Sequence, residues 1–136
     1  MKRRDAREAV FALIFDKDFN PDVTCREVLD SAVENGHING WDNDPYVSRV
    51  FFGVYDNLEE LDAEIDKASL RWESDRISRV SRAILRLALY EIKNEEDVPT
   101  RIAVNEAVEL AKKFDDEKAF SFINGILGAI ATDFDA

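Results

Sequence analysis

The stretch ISRVSRAILRLALYEIK, from Ile77 to Lys93, decides the fold. Advancing about 100° per residue places Ile77, Val80, Ile84, Leu87 and Ala88 on one side of a helix. Leu85, Leu89 and Ile92 fall on another side. Only a narrow stripe stays polar: Arg79, Arg82, Arg86 and Lys93, with Tyr90 among them. A surface helix needs one apolar face, so a helix apolar around most of its circumference belongs at the centre of a bundle.

Toward the C-terminus, Asp97-Val98-Pro99 ends this helix, and another runs from about Ile102 to Phe114. Asp115 or Asp116 can cap the last one, whose core stripe is Phe120, Ile123, Leu127 and Ile130. Toward the N-terminus, Val47, Val50, Phe51, Val54, Leu58, Leu61 and Ile65 recur at three- and four-residue steps. That run is long enough for two helices broken at Asp56-Asn57, and Pro45 suits the first turn of the earlier one. Gly36 to Asp44, rich in Gly and Asn, reads as a loop. Thr24 and Glu27 form a capping-box pair at a further helix start. The first helix buries Ala6, Val10, Leu13 and Ile14, widened by Phe11 and Phe15, and stops before Asn20-Pro21. Valine and isoleucine keep helical spacing and no hairpin turn separates alternating runs, so no strand is expected. The expected fold is all-α, a single compact bundle of about six or seven helices over residues 1–136.

Several function classes are disfavoured by what the chain lacks. Cys25 is its one cysteine and His37 its one histidine, which excludes an internal disulfide and paired-histidine metal motifs. Cys25 is expected to be a structural or incidental thiol, and no metal or other cofactor is expected. Gly36, Gly40 and Gly53 are isolated, and Gly125 and Gly128 lie within a helical pattern, so no phosphate-cradling glycine loop exists. Carboxylates abound, but nothing sets two of them in a pocket, and the chain is not expected to be an enzyme. No apolar run reaches the roughly 20 residues of a membrane span, and MKRRDAREAV is not a signal peptide. A soluble cytoplasmic protein is the expectation.

The net charge of −11 argues at first against nucleic acid, since phosphate is held by Lys and Arg. The distribution qualifies the sum. Acids crowd between Asp16 and Lys67, as in Asp42/Asp44 and Glu59/Glu60/Asp62/Glu64/Asp66. Basic residues gather at Lys2, Arg3, Arg4 and Arg7 and again between Arg71 and Lys93. An acidic body with a basic edge can bind RNA at that edge while discouraging indiscriminate binding.

Four segments in order resemble the NusB family. MKRRDAREAV resembles its Arg-rich opening; Arg82-Ala83-Ile84-Leu85-Arg86-Leu87-Ala88-Leu89-Tyr90-Glu91, followed by Asp97-Val98-Pro99, resembles its central helix and the turn after it. Asn105-Glu106-Ala107-Val108-Glu109-Leu110-Ala111-Lys112 and Phe122-Ile123-Asn124-Gly125-Ile126-Leu127 resemble its last two helices. The resemblance implies two helical subdomains and a role in transcription antitermination. It implies binding of single-stranded boxA RNA as a heterodimer with NusE, a small-subunit ribosomal protein. With other Nus factors, that complex would help RNA polymerase pass terminators, especially in ribosomal RNA operons.

The resemblance places Arg3, Arg4 and Arg7 at the family's basic RNA-contacting positions. Positions 3 and 7, and 4 and 7, share a helix face, so the three are expected to present donors to one phosphate track. Asp5 interrupts the cluster where relatives often carry a neutral or basic residue, and Ser121 stands where some place a lysine. Phe122 lies about 100° from Ile123 and off the core stripe, so it can either stack on an unpaired base or pack with Ile126. Arg79, Arg82 and Arg86 form a second candidate surface for RNA or a partner, against a reading as salt bridges to acidic helices. Asn124-Gly125 favours close helix packing over chemistry.

Two other readings compete. A NusB-like domain could serve as a protein-interaction scaffold without RNA binding of its own. Domains of this kind also precede the catalytic domain of some ribosomal RNA cytosine methyltransferases, but 136 residues leave no expected room for one. The sequence does not decide whether the free protein pairs as a homodimer.

Overall fold

Proline and asparagine close the first helix. α1 runs Arg3–Phe19, and Asn20, its C-cap, precedes Pro21. The Lys17 ammonium reaches the Pro21 carbonyl at 2.8 Å and the Asn20 side chain donates to the Asp16 carbonyl at 3.0 Å. Those two bonds satisfy carbonyls near a helix end where a cation is also favoured by the helix dipole.

The structure, a computed structural model, describes residues 2–36, 44–70 and 77–135, with side chains through residue 132. Most of the expected loop, with His37, Gly40 and Asp42, lies outside the described residues, as does Arg71. Among the described residues there are seven helices and no strand. After α1 come α2 (Cys25–Glu34), α3 (Pro45–Asp56), α4 (Leu58–Leu70), α5 (Arg79–Asn94), α6 (Thr100–Phe114) and α7 (Glu117–Asp135). No helix among the described residues is long and apolar enough to cross a membrane.

The helices divide into two compact units, Met1–Asp56 and Asn57–Ala136. In the first, α1 packs on α2 and α3. Val10, Leu13 and Ile14 of α1 and Val47, Val50, Phe51 and Val54 of α3 are buried. Tyr55 donates its hydroxyl to the Ile14 carbonyl at 3.0 Å, fixing α3 along α1. At the start of α2, Thr24 Oγ1 accepts from the Glu27 amide and donates to Glu27 Oε1, both at 3.1 Å. The expected cap is present, although the glutamate returns to the threonine hydroxyl and not to its backbone. Gly36 follows α2 with φ 72°, a left-handed conformation that glycine adopts without Cβ strain.

In the second unit α5 packs against α4, α6 and α7. Every residue from Ala83 to Ile92 is buried, which is why its sequence is apolar on nearly every side. Ser78 caps it by accepting from the Ser81 amide at 3.0 Å. The Ser81 hydroxyl then donates to Asp115 Oδ2 at 2.8 Å, tying the α6–α7 turn to the head of α5. The neighbouring Asp116 caps α7 through the Ala119 amide at 2.8 Å, so the two adjacent aspartates have different tasks. In α7, Ile123, Ile126 and Leu127 are buried while Phe120 and Ile130 are half-buried.

Candidate nucleic-acid interface

Helix α1 begins with positive charge where folding alone favours negative charge. Its N-cap, Lys2, has extended backbone and makes no side-chain cap hydrogen bond. Arg3 and Arg4, in its first turn, are exposed. Cations at a helix N-terminus typically oppose the helix dipole by about 0.3–1 kcal/mol each. An anion bound there would reverse that cost, because amide N–H groups and guanidinium donors would both face it. Asp5, also exposed, supplies the only acidic side chain of that turn.

The Arg3 guanidinium lies over the ring of Tyr46, 4.1 Å from its centroid. Tyr46 is buried in α3, held at its amide by the Asp44 carboxylate at 2.9 Å. A fixed ring under a guanidinium restrains a long side chain and leaves the in-plane N–H groups for an acceptor. Arg7, one turn further along α1, is only 6% exposed.

In the second unit Phe122 is half-buried on α7, between exposed Ser121 and buried Ile123. Asn124 is exposed and Gly125 half-buried. The basic stripe of α5 faces the acids of α4. Arg86 grips Asp62 with two bonds, Nε to Oδ1 at 2.8 Å and Nη2 to Oδ2 at 2.9 Å. Arg82 bridges Asp62 at 3.4 Å and Asp66 at 2.8 Å. Lys93 completes the ladder on Glu60 and Glu64. Burial pushes the Lys93 ammonium toward neutrality, but the hydrogen bonds and charges of those two carboxylates outweigh it and raise its pKa above the ordinary 10.5. Its stabilising effect is therefore complete below pH 10.5 and lost as pH rises through the raised value. Replacing Lys93 with methionine should leave stability less dependent on pH in that alkaline range than in the unaltered protein, as read by denaturant unfolding. Equal alkaline losses in both would remove Lys93 as the cause.

Among the described residues no group of His, Cys, Asp and Glu could hold a metal ion. The half-buried Cys25 thiol is raised in pKa by burial and by Asp56, against the opposing charge of Lys17, so it stays a poor nucleophile.

The NusB family model matches residues 4–132. This chain belongs to the NusB family. A transcription antitermination protein NusB from Clostridium botulinum is 41% identical over 131 residues, which cover 96% of this chain and 98% of that one. Among solved structures, T. maritima NusB has a TM-score of 0.84 and 33% identity, covering 98% of this chain and 92% of that one. The antitermination factors NusB and NusE in complex with double-stranded RNA give 0.82 and 30%, with 96% of both chains covered. NusB proteins are transcription antitermination factors and not enzymes.

Set against the NusB expectation, Arg3 and Arg4 are exposed as a phosphate contact requires, but Arg7 is not. The joint presentation of three donors therefore needs correction: Arg7 lies on the inner face of α1. The α5 surface is corrected as well. Arg82 and Arg86 are engaged by α4 carboxylates, and Arg86 is buried, so the salt-bridge reading holds for both; Arg79 alone of the three is exposed. Tyr46 is the residue that sequence reasoning missed. Its contact with Arg3 spans 43 positions and leaves no local signal.

Proposed function

We propose that this NusB-family chain binds single-stranded boxA-type RNA in the cytoplasm as a heterodimer with the ribosomal protein NusE. With RNA polymerase and other Nus factors it would support transcription of ribosomal RNA. The observation that carries the reading is the head of α1, where Arg3 and Arg4 stand exposed at a helix start without a side-chain cap. Positive charge there opposes the dipole of α1, whereas a bound anion would be favoured by the dipole and the guanidiniums together. The solved assembly of a related NusB and NusE with double-stranded RNA supports NusE and an RNA as the partner classes. Phe122, half-buried, keeps part of its ring for stacking on a base.

With a net charge of −11, the chain has to rely on a small cluster of cations, so RNA binding is expected to be weak alone and tighter with NusE. Titrating a short boxA RNA with and without NusE checks this. The same titration with double-stranded RNA, the ligand in the related complex, and with duplex DNA checks selectivity. Preference for the single strand, strengthened by NusE, is the expected result. Equal affinity for boxA RNA and random duplex DNA would overturn the reading, and binding of NusE without RNA would reduce the chain to a scaffold.

A further inference from the structure

We propose that the phosphate-binding surface continues from the head of α1 onto α3, with Arg49 as a contact set beside Arg3 by the ring of Tyr46. This rests on the RNA-binding reading above and extends it to a second helix. Arg49 is exposed, and its guanidinium lies 5.9 Å from the same ring centroid that Arg3 approaches at 4.1 Å. The two cations are therefore at most about 10 Å apart, the two distances laid end to end. That is comparable to the Debye length of about 8–10 Å at 0.1–0.15 M salt, so an RNA strand reaching one guanidinium still feels the other.

Two like charges near each other cost free energy unless something compensates. Here the π face of Tyr46 attracts both, by about 0.5–1 kcal/mol for an exposed cation. Tyr46 is 2% exposed, so its ring is a closely packed plate against two long side chains. Asp44, two residues before Tyr46, accepts from its amide at the start of α3 and so helps to fix where the ring sits. An extended polyanion that meets restrained guanidiniums loses less side-chain freedom on binding than one that must order them. Arg49 sits three residues after Tyr46, on the same helix face, which brings its guanidinium back to the ring that Arg3 reaches from α1.

The test is the salt dependence of binding to a short single-stranded boxA RNA with NusE present, for the unaltered chain and for Arg3→Ala, Arg49→Ala and Arg26→Ala. Arg26 is an exposed arginine of the same unit, paired with Asp30 at 3.3 Å, and serves as the control. Arg49→Ala should weaken binding several-fold and flatten the log–log salt slope by about 0.7, as Arg3→Ala does, because each removes one phosphate contact. The loss should be the same for a scrambled RNA, since phosphate contacts carry no sequence information. Arg26→Ala should change neither quantity. Arg49→Gln keeps most of the side-chain stem and should match the alanine variant, while Arg49→Lys should retain the slope. A normal slope in Arg49→Ala beside a flattened one in Arg3→Ala would confine the surface to α1 and overturn the inference alone. Absence of RNA binding by the unaltered chain would overturn the inference together with the function on which it rests.

Discussion

Asp62→Ala is expected to destabilise the second unit by about 3 kcal/mol, the low end for breaking a buried ion pair from one side. Arg86 is buried and aims two N–H groups at this one carboxylate. Removing Asp62 leaves a guanidinium without that partner where water reaches poorly. The reverse deletion should be milder. Asp62 is 27% exposed and also touches Arg82 at 3.4 Å, so without Arg86 it keeps both a cation and some solvent. Arg86→Met, which retains most of the buried stem, should cost about half as much. Replacing both together, Asp62→Leu with Arg86→Met, should come within about 1 kcal/mol of the unaltered protein, because two removed charges leave none stranded. Urea unfolding followed by helical circular dichroism gives the three values. For a unit of this size the single alanine variant should melt more than about 10 °C lower. A loss under about 0.5 kcal/mol for Asp62→Ala, or a larger loss for Arg86→Met, would show that the pair does not hold α4 to α5.

That pair also marks the limit of what the sequence could say. Helix ends were legible because their causes are local. Pro21 stops α1, Thr24 with Glu27 starts α2, Pro45 opens α3 and Asp56-Asn57 separates α3 from α4. Burial of α5 was legible because a helix with apolar residues almost all round has nowhere else to go. Its polar stripe was ambiguous for the same reason: periodicity shows that Arg82 and Arg86 share a direction, not what lies there. The answer is a row of carboxylates some twenty residues earlier in the chain. Arg7 was misread for a different reason. Its spacing places it on a face with Arg3 and Arg4, but Arg7, Val10, Phe11 and Ile14 also recur at three- and four-residue steps, and that stripe is the buried one. The sequence allows either Asp115 or Asp116 to cap α7, because only the fold brings Ser81 to Asp115 and so reserves Asp116 for the cap.

Arg3 and Arg4 together are expected to supply a salt-dependent term of about 1.4 in the log–log slope, two phosphates at about 0.7 each for a single strand. Over a fourfold rise in salt that term amounts to about sevenfold in affinity. The double replacement by alanine should remove it, weakening boxA and scrambled RNAs in the same proportion. Its melting temperature should change little, because relief of the α1 dipole offsets the lost contact between Arg3 and the Tyr46 ring. Arg7→Ala should behave oppositely. As a buried side chain it should lower stability and leave the slope of the folded protein nearly unchanged. Phe122→Leu gives a third signature, since leucine refills the buried part of the site but offers no ring. Affinity should fall within the range of about 1–3 kcal/mol typical of one stacked base, with the slope intact. These signatures separate charge, packing and stacking in one set of titrations with NusE present. If the Arg3/Arg4 variant kept the full slope, the phosphates would have to be held elsewhere, and exposed Arg79 would be the next arginine to replace.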